Sequence, residues 1–142
     1  MTDLERAKAL LTEGGYTVAL CRGAETYTDT RRGVAPLLAM LDSGEDLTDF
    51  AAADKVVGKA AAFVYLRLGV KAVHGGVMST PARDLLTAHG VSATYDTLVP
   101  AIRNRAGDGY CPMEQVSLPH TDPAEAEIAI RAKLAQLEHH KI

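Results

Sequence analysis

The chain has no tryptophan and only two phenylalanines among its 142 residues. Its core must therefore be built from aliphatic and alanine side chains, which fill space only when backbones approach closely. Cysteine is as scarce. Cys21 and Cys111 have no neighbouring Cys, so they read as free thiols of a cytoplasmic protein and not as a disulfide framework. Basic charge is not in excess: 15 Lys and Arg stand against 18 Asp and Glu, a formal net charge of −3. That leaves no electrostatic footprint for general nucleic-acid binding. No apolar run approaches the ~20 residues that span a bilayer, and Met1–Arg6 reads as an amphipathic helix start, not a secretory signal. Metal motifs are missing too. There is no Cys-x-x-Cys and no His-Glu-x-x-His, so neither a metal nor a cofactor is expected. His74, His89 and His120 are scattered, and His139-His140 read as a solvent-exposed tail. The glycine-rich pieces match neither the dinucleotide fingerprint nor the P-loop, and no Gly-x-Ser-x-Gly elbow occurs.

What is present suffices for one ordinary domain: 47% hydrophobic and 23% charged residues. Leu4, Ala7, Leu10 and Leu11 give a helix over Asp3–Glu13, stopped by Gly14-Gly15. Tyr16–Cys21 and Glu25–Thr28 flank a turn and read as a hairpin. A short helix is expected over Gly33–Leu41, and a long buried one over Asp54–Leu68, closed by Gly69. Val70–Val77 reads as a strand ending in a glycine pair. Pro81–His89 reads as a helix with Thr80 as N-cap, and Val91–Tyr95 as a further strand. A short helix over Val99–Arg105, another opened by Cys111 and a final one over Pro123–His139 complete the chain. In that last helix Ile128, Ile130, Leu134 and Leu137 are the apolar residues. The element order implies an α/β domain: a mixed sheet with helices on both faces.

Three stretches carry candidate chemistry. In Asp54-Lys55-Val56-Val57-Gly58-Lys59, Asp54 stands where a helix N-cap belongs. Lys55 and Lys59 lie one turn apart, against the preference of the helix dipole, which suggests a bound anion. In His74-Gly75-Gly76-Val77-Met78-Ser79-Thr80, the glycines permit close backbone approach, and Ser79 and Thr80 add hydroxyls at a helix start. In Cys111-Pro112-Met113-Glu114, Cys111 as N-cap places Pro112 at N1 and Glu114 at N3, a layout like a capping box. A thiol at that position has its thiolate favoured, and Glu114 is a candidate acid or base beside it.

Phe50–Ala62, His74–Ser79 and Cys111–Glu114 together resemble a prokaryotic family of unknown function whose fold is similar to that of cytidine deaminases. The resemblance covers the chain except its last helix. It implies one deaminase-like domain over residues 1–142, a three-layer α/β/α fold, with the helix at 123–139 as a C-terminal extension. Active deaminases of that fold hold zinc at two helix starts. Here those positions carry Asp54-Lys55-Val56 and Ser79-Thr80-Pro81, which lack the zinc ligands, so zinc-dependent deamination is not expected.

The resulting expectation is a metal-free, cytoplasmic protein that binds a small anionic molecule, such as a nucleotide or a derivative. Asp54 would orient the ligand. Lys55, Lys59, His74, Gly75, Gly76, Ser79 and Thr80 would bind it. Two alternatives stand beside this: an enzyme or redox-responsive protein with Cys111 as its reactive thiol and Glu114 or His74 as its proton partner, and a non-catalytic module that forms homo-oligomers. Asp54, Cys111 and Glu114 are the candidates for any catalytic role.

Overall fold

The computed structural model describes residues 1–104 and 106–139. Helix α1 (Asp3–Gly14) starts at Thr2, whose hydroxyl accepts from the Glu5 N–H, and stops at Gly15 in the left-handed region (φ 70°). Strands β1 (Val18–Arg22) and β2 (Glu25–Asp29) form the expected hairpin around Gly23. Helix α2 (Ala35–Asp42) buries Leu37 and Leu38.

The expected helix from Asp54 is corrected at this point. Ala51–Val57 is strand β3, and helix α3 (Lys59–Leu68) begins only after Gly58, its N-cap. Asp54 is therefore mid-strand and caps no helix. Alanine favours helix locally, but Ala51–Ala53 fill the place between β1 and the next strand, where two ladders outweigh propensity. Strand β4 (Ala72–Ser79) runs to Ser79, so the glycine pair lies inside it and not at its end. Helix α4 (Thr80–Ala88) takes Ser79 as N-cap in place of Thr80, with the Ser79 Oγ accepting from the Ala82 N–H at 3.3 Å. Strand β5 (Ser92–Val99) is longer than expected. No helix forms over the described part of 99–105; Arg105 lies outside the described residues, and Arg103 instead makes an isolated bridge with Tyr110. Helix α5 (Pro112–Ser117) opens at Cys111 as expected, and α6 (Pro123–His139) follows. Of the expected tail, His139 ends α6 and His140 lies outside the described residues.

The five strands form one mixed sheet in the order β2-β1-β3-β4-β5. β1 is antiparallel to both its neighbours, and β3, β4 and β5 are mutually parallel. α1 packs on one face, against β1, β3 and β4; Ala7 meets Cys21 and Ala53 there. α2, α3 and α4 lie on the other face, and α5 and α6 stack on α3, giving a three-layer α/β/α arrangement. α6 sends Ala126 and Ile130 into the main core. Ile128, expected on its apolar side, is 71% exposed.

The parallel strands share an irregularity. Their core-side residues are Ala52 and Val57, Val73 and Met78, Ala93 and Leu98. Each pair is five positions apart, an odd spacing that a regular pleat of period two cannot give. The ladders skip one step at the same level, between Asp54–Gly75 and Val56–Val77 on one side of β4 and between Gly75–Tyr95 and Val77–Thr97 on the other. Gly76 sits at that step. A Cβ there would lie 2.8 Å from the Lys55 carbonyl oxygen, so only glycine admits the close approach. The slip turns Val57 and Met78 into the core and leaves Val56 at the surface.

Candidate functional site

A cavity of about 630 Å³ opens at the carboxyl end of β3. It lies between β1 and β3, where the chain's strand order reverses, the usual crevice for ligands in open α/β sheets. Its walls come from the start of β1 (Val18), the segment before α2 (Arg31–Val34), the first turn of α3 (Ala60, Ala61) and the segment leading into α5 (Ile102, Cys111, Met113). The small side chains Ala60 and Ala61 leave the room. The lining is mostly apolar, with a few charged groups.

Asp54 is the most informative of these. It pairs with Val18 across β1 and points toward α3, where the Tyr65 hydroxyl donates to its Oδ2 at 2.7 Å. The Val56 N–H donates to Oδ1 at 3.4 Å. The residue is 8% exposed. Burial raises its carboxyl to about 7, against the lowering effect of those hydrogen bonds. Tyr65 is fully buried, and burial together with the neighbouring carboxylate pushes its hydroxyl well above the ordinary tyrosine value.

Glu114 lines the same cavity but is fully engaged. Its Oε1 accepts from the Lys59 N–H at 2.8 Å and its Oε2 from the Ile102 N–H at 2.6 Å. A carboxylate from α5 thus sits at the N-terminus of α3, where free N–H groups and the helix dipole favour an anion. The sequence suggested such an anion; the chain supplies it itself. Glu114 makes no capping box with Cys111, whose own N–H donates to the Ile102 carbonyl and whose side chain caps nothing. Gly58 makes the arrangement possible. A Cβ at that position would lie 3.0 Å from the Ile102 side chain and 3.3 Å from Glu114 Oε2.

Lys59 turns away from the cavity. Its Nζ donates to the Leu118 carbonyl at 2.7 Å, at the end of α5, and lies over the Phe63 ring. Burial lowers its ammonium from the ordinary lysine value. Lys55, Arg31 and Arg32 do line the cavity. Arg31 is held by Asp29 at 2.7 Å. Lys55 and Arg32 form no ion pair among the described residues.

The structure thus brings Asp54, Lys55, Cys111 and Glu114 to one cavity. It places the others elsewhere. His74, in register with Ala53, faces α1 on the opposite side of the sheet. Its Nδ1 meets Thr94 Oγ1 at 2.8 Å and its Nε2 meets Asp96 Oδ1 at 3.2 Å. Burial and Lys8 lower its pKa, with Asp96 opposing. Gly75 lies beside Asp54 on β4, packed against Val57. Ser79 is buried as the α4 cap, and Thr80 donates to the Val99 carbonyl. Among the described residues no three His, Cys, Asp or Glu converge as a metal site requires.

Tyr65, Arg32, Gly58 and Ile102 carry no motif that marks them as site residues. Arg31-Arg32-Gly33 before a helix was the one visible signal. Tyr65 reads as another core residue of α3, and nothing in the sequence links it to Asp54.

The fold and cavity define a class: an α/β protein with a five-stranded mixed sheet and a ligand-sized cavity at the strand-order reversal. The model of the TM1506 family, a domain of unknown function (DUF1893), matches residues 6–134, and the chain belongs to that family. The solved structure of a DUF1893 family protein (TM1506) from Thermotoga maritima is similar to it, with 28% identity and a TM-score of 0.82 over 96% of this chain and 91% of that one. No curated protein matches the chain. Among the described residues, no helix is long and apolar enough to cross a membrane.

Proposed function

We propose that the cavity beside Asp54 binds a small organic anion with an apolar body, without zinc; a nucleotide or a derivative is the candidate of that kind. The reading rests on one observation: a nearly buried carboxyl, Asp54, in a mostly apolar cavity whose cationic residues include Lys55 and Arg32, which form no ion pair among the described residues. An ionisable group kept in a site that disfavours its charge costs stability, and such groups concentrate where ligands bind. The volume, about 630 Å³, is within the range of small-molecule sites. Lys55 and Arg32 supply the attraction for an anion, since the N-terminus of α3 is already occupied by Glu114. A frame like that of the deaminases fits this proposal, because it places the ligand at the carboxyl ends of the parallel strands.

Native mass spectrometry of the freshly purified protein, followed by titration with nucleoside monophosphates, tests the reading. Binding that weakens about tenfold in Lys55→Ala and Arg32→Ala, a loss of roughly 1.4 kcal/mol, supports it. Binding indifferent to both substitutions, or no binding of any anion, refutes it.

A further inference from the structure

We infer that the ligand of this cavity carries a side-by-side pair of N–H donors, of the guanidine or amidine type, that docks on the carboxylate of Asp54. The inference rests on the proposal that the cavity binds an organic anion, and it names the other end of that molecule. It follows from how Asp54 is held. Each of its oxygens already has one partner, and both partners are donors: the Tyr65 hydroxyl to Oδ2 and the Val56 N–H to Oδ1. Tyr65 is buried with its hydroxyl proton firmly kept. Asp54 is thereby prepared as an acceptor. A carboxylate oxygen has room for a second bond, so one lone pair on each oxygen is left. Two adjacent acceptors match two parallel N–H groups, the bidentate geometry that guanidinium gives with carboxylates. A single hydroxyl would use half of it, and an acceptor group would have to bring a proton.

The arrangement also explains why the position is Asp. An asparagine would keep the Tyr65 bond at far lower desolvation cost, but its NH₂ group would turn away an incoming N–H. The cost of the buried carboxyl is recovered when a donor pair arrives, because the ion is then compensated. The anionic end of the same molecule is left to Lys55 and Arg32. Two chemical types satisfy both ends: guanidino acids, and guanine nucleotides, whose base presents an N–H pair on one edge.

The test is calorimetric titration of the full chain with two probe sets. The first is guanidinoacetate and its longer homologues up to guanidinohexanoate, against dicarboxylates of matched length. The second is guanosine monophosphate against adenosine monophosphate, which shares the phosphate but lacks the donor pair. The inference expects the donor-bearing member of at least one set to bind tenfold or more tightly, and Asp54→Asn to erase the preference. The wild-type protein supplies a second readout. Binding that requires the ionised Asp54 should tighten about tenfold between pH 6 and 8. Dicarboxylates and adenosine monophosphate both binding as well as their counterparts would overturn the inference and leave the anion proposal standing. Failure of every anion in both sets would overturn both.

Discussion

At the scale of single residues, Glu114 is the clearest case of a side chain whose role is set by what surrounds it. It is 2% exposed, and its two oxygens satisfy backbone donors from two distant segments, Lys59 and Ile102. Removing the carboxylate in Glu114→Ala would leave both N–H groups without that partner, and an unsatisfied buried donor costs about 1–3 kcal/mol. The variant should lose about 2–4 kcal/mol of unfolding free energy in denaturant titration. A loss below about 0.5 kcal/mol would show that water replaces the carboxylate freely. In the sequence Glu114 reads as the N3 member of a capping box and as an acid or base beside a thiol. Its actual partners are 55 and 12 positions away, and no local pattern encodes them. Asp54 is legible as important, but for a different reason: its local sequence reads as a helix cap, and the residue is a buried strand residue.

At the scale of elements, α6 separates pattern from placement. The apolar residues Ile128 and Ile130 look alike in the sequence, yet Ile130 is fully buried against the core and Ile128 is 71% exposed. Positions two apart on a helix point some 200° from each other, so both could not face the core. Ile130→Ala should cost about 2–5 kcal/mol, and Ile128→Ala less than about 0.5 kcal/mol. Thermal melts of the pair check it; equal losses would mean that α6 is seated differently. The α3 region shows the opposite limit. The strong helix former alanine dominates Ala51–Ala53 as much as Ala60–Ala62, but the first triplet is strand and the second helix. Only the sheet partners on both sides of β3 decide between them.

At the scale of the whole molecule, the stability profile with pH should carry the signature of Asp54. Its carboxyl is raised from 3.8 to about 7 in the folded state. The folded protein therefore keeps a proton that the unfolded chain releases, so this stabilising contribution is complete below about pH 4 and is lost as pH rises through about 7. The difference of roughly three pH units corresponds to an upper bound of about 4 kcal/mol. Asp54→Asn has no proton to lose and should remove that decline, so the variant gains on the wild type between pH 5 and 8. His74 acts in the opposite sense. Its pKa is lowered by burial and Lys8, so its contribution is lost as pH falls below about 6.5. Melting temperatures of both proteins across this range test the assignment; parallel curves would exclude Asp54 as the source of the alkaline decline.

Local patterns are enough for the α/β class, the hairpin and most helix boundaries, and they contain no known metal or phosphate motif. Those features depend on local periodicity, glycine stops and residue spacing, which act over a few positions. The tertiary structure alone decided that Ala51–Val57 is a strand, that the parallel strands slip together at Gly76, and that Lys59 leaves the cavity for the end of α5. It also brought Tyr65 to Asp54 and Glu114 to α3, and set Cys111 in the same cavity. The physical reason is the same in each case. A buried polar group takes whichever partner the packing of remote segments delivers, and that partner's distance along the chain leaves no mark on the sequence around it.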